Sequence, residues 1–211
     1  MTSEPAATTP AVPRTYPKGR RRRAEIIAAA LAAFAAGGYR GASMVQIAAA
    51  CGVSRAGLLH HFPAKELLLA AVLEERDRVN GELFFVGVDP RRDGVDYLEH
   101  LLRLVSHNAG QRELVQLFAT LSAEAADEAH PAHAYFVERY RLLEADFDLA
   151  FREIAGRGLL RPGIGLDGAA RDLIALIDGL QVQWLLDPAG IDIAERVRLR
   201  LREVVDAEFA P

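Results

Sequence analysis

The side chains best placed to do chemistry lie between residues 43 and 65, and the chemistry they suit is recognition of a polyanion. The stretch SMVQIAAACGVSRAGLLHHFPAK carries Ser43, Ser54, Arg55, His60, His61 and Lys65. A hydroxyl at a helix start and a neighbouring cation both favour phosphate oxygens, while a guanidinium can bond both acceptors on a guanine edge. Positioning them takes two short helices. Ser43 followed by Gln46 has the spacing of a capping box, which predicts a helix start, with Val45, Ile47, Ala48 and Cys51 turned inward and an exit at Gly52. Ser54 is a second N-cap. The helix it opens puts Leu58 and Phe62 on one side and leaves Arg55, Ala56, Gly57, Leu59, His60 and His61 to face a groove.

A helical hairpin occurs in many all-α proteins, so charge has to decide. From Arg14 to Lys65 there are nine Lys or Arg against Glu25 alone, a net +8, whereas the whole chain is −4 and the remainder therefore −12. A basic block on an acidic protein is the footprint of a surface that neutralises phosphates. The pattern predicts a DNA-binding helix-turn-helix, with Arg22 and Arg23 of the preceding helix adding to the contact surface.

VSRAGLLHHFPAKELLLAAVL, preceded by a helix ending in FAAGGY and by SMVQIAAACG, resembles the amino-terminal domain of the tetracycline-repressor (TetR) family of bacterial regulators over about residues 20–75. The resemblance implies an all-α protein with a three-helix DNA-binding head and a helical carboxy-terminal domain. It also implies a homodimer through the last two helices and a small-molecule effector, with repression as the family default. At Leu59 many members carry a phosphate-bonding Tyr, so the backbone contact here would fall to His60, His61 and Lys65.

With 211 residues the chain can bury a small head and a larger body. No stretch approaches the roughly 20 uncharged apolar residues of a membrane span. RRRAEIIAAALAAFAAGG has the basic start and apolar middle of a secretory signal, but Glu25 interrupts it, and Ile27, Leu31 and Phe34 fall at helical spacing. Cytoplasmic residence fits this, as does Cys51, a lone cysteine read as a small buried hydrophobe. Three regions are expected: a mobile tail over 1–17, in which Arg14 can reach phosphates, a head over 18–64, and an effector-binding and dimerisation domain over 65–211.

Further helices are expected from about Arg20 to Ala36, where Gly37 and Gly38 end the run, and from Lys65 towards Phe84 with Leu67, Leu68, Ala71 and Val72 inward. The body follows with Val95–Asn108, Gln111–Ala126, Pro131–Gly156 (face Tyr135, Leu142, Leu143, Phe147, Phe151), Gly168–Leu186 and Asp192–Glu208. Leu173, Ile177, Leu180 and Trp184, with Ile193, Val197, Leu201 and Val204, form a seam that fits a bundle across a two-fold axis or an ordinary core. Family resemblance favours the bundle. Mid-helix Gly179 costs about 1 kcal/mol unless a close helix approach offsets it.

Catalysis has no support: no Gly-rich phosphate loop, GxSxG elbow, HExxH or CxxC pair occurs, and neither cofactor nor metal is expected. His130 and His133 straddle Pro131 with no second ligand pair. An effector pocket between the middle helices would draw on His107, Phe118, Tyr135, Tyr140, Phe147, Gln181 and Trp184. The reading is a DNA-binding transcriptional regulator on a palindromic operator; a helical enzyme or an architectural DNA binder without effector are the rivals.

Overall fold

A computed structural model describes residues 17–210. The helices are α1 (Pro17–Gly41), α2 (Met44–Ala50), α3 (Arg55–His61), α4 (Lys65–Phe84), α5 (Gly94–Ala109), α6 (Arg112–Glu124), α7 (His133–Gly156), α8 (Ala169–Leu186) and α9 (Ile193–Val204). Residues 1–16 of the expected tail, with Arg14, lie outside the described residues. α1 is interrupted at Gly38, where the sequence predicts its end.

The all-α expectation holds: the described residues form no strand, and one isolated antiparallel bridge joins Leu160 to Val205. That bridge explains why α9 stops at Val204 instead of reaching Glu208. Arg161 N donates to the Val204 carbonyl and Asp206 N to the Leu159 carbonyl, so the loop after α7 captures backbone that the helix would have used.

Two clusters of buried side chains hold the molecule. The first takes Ile26, Ile27 and Phe34 of α1, Ile47 and Ala48 of α2, Leu58 and Phe62 around α3, and Leu68, Leu69, Val72 and Leu73 of α4. It continues into Leu117, Phe118 and Leu121 of α6 and Phe136 of α7. The second is built from α5, α7, α8 and α9 around Leu98, Phe147, Phe151, Ile154, Trp184 and Val197. α5 meets α7 at Gly94, where a Cβ would stand 2.5 Å from the Ala150 carbonyl oxygen and 2.7 Å from Glu153 Oε2. Only glycine admits that approach, and the Gly94 amide uses it to bond Glu153 Oε2 at 3.1 Å.

Four expectations are corrected. Val45, Leu67 and Leu142 are 59%, 55% and 49% exposed, because each lies one residue off the stripe its helix buries. The seam expected to pair two subunits is interior: Leu173, Ile177, Leu180, Trp184, Ile193, Val197, Leu201 and Val204 are all buried within one chain. α8 and α9 need that stripe to close their own core against α5 and α7. What α8 leaves outside is Val182, 50% exposed, and Leu186, 83% exposed; Leu199 stands out on α9.

Candidate nucleic-acid interface and effector cavity

The helix pair is held by its caps. Ser43 Oγ accepts from the Gln46 amide at 3.2 Å while Gln46 Oε1 accepts from the Ser43 amide at 3.0 Å, the reciprocal pattern the spacing predicts. α2 leaves through Gly52 at φ +65°, a left-handed turn that suits glycine. Ser54 Oγ then accepts from the Gly57 amide at 3.0 Å. With Leu58 and Phe62 buried beneath it, α3 presents Arg55, Ala56 and His60 outward, and Gly57, Leu59 and His61 half-buried at the margins.

The cations around α3 divide into tethered and free. Arg22 donates to the Cys51 carbonyl at 3.3 Å and pairs with Glu25 at 2.7 Å, tying α1 to the end of α2. Arg23 lies over the Phe62 ring at 4.9 Å. Lys65 sits 4.5 Å above the Tyr39 ring and reaches the Arg40 carbonyl at 3.5 Å. Tyr39 packs edge-on against Phe34 and donates its hydroxyl to Glu66 at 3.2 Å; burial and then the Glu66 charge push its pKa up to about 12. Arg55 is exposed and, among the described residues, unpaired.

Behind the head lies a cavity of about 290 Å³ walled by α4 to α8. It brings together four of the seven expected pocket residues, Phe118, Tyr140, Phe147 and Gln181. The other three stand elsewhere. His107 is exposed, its ring bonded to Gln111 and tilted against Phe84. Tyr135 turns away to donate to Asp77 Oδ2 at 2.6 Å. Trp184 fills the body core, with Arg112 over its ring at 5.6 Å.

Sequence reasoning missed the charged wall of this cavity. Arg76 of α4 is 8% exposed and stacks its guanidinium 3.9 Å from the Phe118 centroid. Burial lowers its pKa to about 10, which leaves it cationic at neutral pH. Arg139 is also in the wall, in an ion pair with Asp77. Asp178 accepts from Tyr140 at 2.7 Å; burial raises the Asp178 carboxyl and pushes the Tyr140 phenol up to about 12. The available signal was Asp178 itself, an acid inside the apolar run LIALIDGLQVQWLL.

His130 and His133 are occupied structurally: the His130 ring accepts from the Ala132 amide at 3.2 Å, and His133 Nδ1 bonds the Ala125 carbonyl at 2.8 Å. No helix of the described residues is long and apolar enough to cross a membrane.

Residues 26–72 match the family model of bacterial regulatory proteins of the tetR family, and residues 96–210, more than half the chain, match that of the BetI-type transcriptional repressor C-terminal domain. The chain belongs to the TetR family. It is a DNA-binding transcriptional regulator, and the two matches meet the structure cleanly: the first spans α1 to the first turns of α4, the second α5 to α9. This TetR-family chain is 28% identical over 197 residues to the HTH-type transcriptional regulator TtgR of Pseudomonas putida, covering 86% of this chain and 89% of that protein. It is 43% identical over 63 residues to the regulator RutR of Escherichia coli, 27% of this chain and 30% of that one. Among solved structures it is similar to NalD of Pseudomonas aeruginosa, described as the secondary repressor of a multidrug efflux pump. The TM-score there is 0.65 at 26% identity, with 90% of this chain and 99% of that chain covered.

Proposed function

We propose that this TetR-family regulator is a homodimeric repressor that binds a palindromic operator and lets go when a small molecule fills the cavity. The observation that carries the reading is α3: a hydroxyl-capped helix with Arg55 exposed on its outer face and, among the described residues, unpaired, set on the basic end of an acidic chain. Ser54 and Lys65 anchor phosphates, Arg55, Gly57 and His60 approach base edges, and Ser43, Arg22, Arg23, Ala56, Leu59 and His61 border the contact. The two heads of the dimer would stand about 34 to 36 Å apart, one turn of duplex.

Dimerisation is assigned to the outer faces of α8 and α9, with Val182, Leu186 and Leu199 in the contact in place of the interior seam. Release follows if the effector binds more tightly to the body shape whose heads are wrongly spaced, so that coupling equals the difference in effector affinity between the two shapes. The test is selection of duplexes from a random pool at moderate salt, followed by footprinting. An enriched inverted repeat is expected. Equal retention of selected and random duplexes refutes the reading in favour of an architectural binder.

A further inference from the structure

The wall of the cavity holds a cation that makes no ion pair among the described residues. Arg76 Nε is buried and has no hydrogen-bond partner, and among the described residues the guanidinium enters no ion pair. Its neighbour Asp77 acts on it through charge alone, the carboxylate pairing with Arg139 and accepting from the Tyr135 hydroxyl. Of the remaining wall charges, Asp178 accepts from Tyr140 on the α7 side and forms no ion pair with Arg76 among the described residues. Burying a cation without a partner is unfavourable because water solvates the charge better than the protein does, and an incoming anion would offset that loss.

Arg76 is not alone. Asn80 stands four residues on, on the same face of α4, and buried Asn108 of α5 also lines the cavity; one guanidinium and two carboxamides thus put hydrogen-bond donors into the lining of one cavity. The rest of the wall, including Leu104, Phe118, Phe147 and Ile177, is apolar. The volume is about twice that of a cavity that holds a single benzene ring.

Resting on the effector reading above, the geometry points to an organic anion as the ligand: a carboxylate seated on Arg76, Asn80 and Asn108, carrying an apolar body of about two fused rings. Cationic ligands are disfavoured at this end of the cavity, where Arg76 is the charge left without an ion-pair partner among the described residues, Arg139 being matched by Asp77 and Asp178 being hydrogen-bonded to Tyr140.

Calorimetric titration of the full chain with 2-naphthoate, 2-naphthamide and 2-naphthylmethylamine tests this with the body held constant. The acid is expected to bind at least tenfold tighter than the amide, about 1.4 kcal/mol, and the amine weakest. R76Q should bring acid and amide together, and apo melting of R76Q reports whether the variant is folded. The wild-type series decides the matter even if R76Q is not. Equal or tighter binding of amide or amine overturns the anion class and leaves the effector cavity standing. Failure of all three to bind protein that still retains duplex overturns the cavity reading as well.

Discussion

Replacing Gly94 by Ala should be costly out of proportion to one methyl group. The new Cβ would lie 2.5 Å from the Ala150 carbonyl oxygen, 2.7 Å from Glu153 Oε2 and 2.9 Å from Ile154 Cγ1, where ordinary contacts need 3.4 Å or more. The nearest atom is helix backbone and cannot rotate aside, so α5 must retreat from α7 by about 1 Å. Retreat stretches the Gly94 amide bond to the Glu153 carboxylate, now 3.1 Å. Overpacking of this kind costs roughly 1 to 3 kcal/mol, and weakening a bond to a charged acceptor adds about 1. A total near 3 kcal/mol corresponds to a fall in Tm of roughly 6 to 12 °C for a chain of this size. Differential scanning calorimetry of G94A against wild type at fixed protein concentration reads this directly. An unchanged or raised Tm would refute the close approach of α5 to α7. Gly179 is the internal control, since nothing lies within 4 Å of a Cβ there and G179A should gain up to about 1 kcal/mol of helix propensity unless a partner subunit closes on that face.

Four further outcomes are expected. R55A should weaken specific duplex binding by roughly 1 to 3 kcal/mol and relax preference at one base pair, read by competition against operator variants. S54A should lower the urea midpoint by the equivalent of about 1 kcal/mol by removing the cap of a seven-residue helix. Val182→Glu together with Leu186→Glu should shift sedimentation equilibrium towards monomer with the Tm of the monomer preserved, because both side chains are exposed in one chain. Tyr39 and Tyr140 have pKa values raised to about 12; the unfolded chain ionises first, so their stabilisation is whole below pH 10 and is lost between about pH 10 and 12. Y140F should flatten that alkaline loss, measured by urea midpoints across the range.

The helix-turn-helix was legible because its determinants are local. Ser43 with Gln46, Gly52 and Ser54 fix starts and stops through backbone groups a few residues away, and the structure returns them in register. The body was harder. Periodicity finds a helix's apolar stripe but not what covers it, so the α8 and α9 seam read as a subunit interface turned out to be the chain's own interior. The end of α9 depended on Leu159 and Arg161, more than 40 residues away in sequence. In the cavity, aromatic residues were the natural guess, and Tyr135 and Trp184 were absorbed by other partners. Arg76 was passed over because an arginine in a helix is ordinarily solvated, and only burial distinguishes it.

The cluster that backs α3 is not self-contained: Leu117, Phe118, Leu121 and Phe136, which come from the sensing half, are part of it, and Phe118 also lines the cavity. Cutting the chain after residue 64 would strip α1 of its packing against α4 and α6 and uncover the apolar face that carries Phe34. The DNA reader is therefore not a transplantable module. A hybrid regulator grafted from this chain would have to carry α4 and the α6–α7 corner along, and melting should take reader and sensor apart in one step.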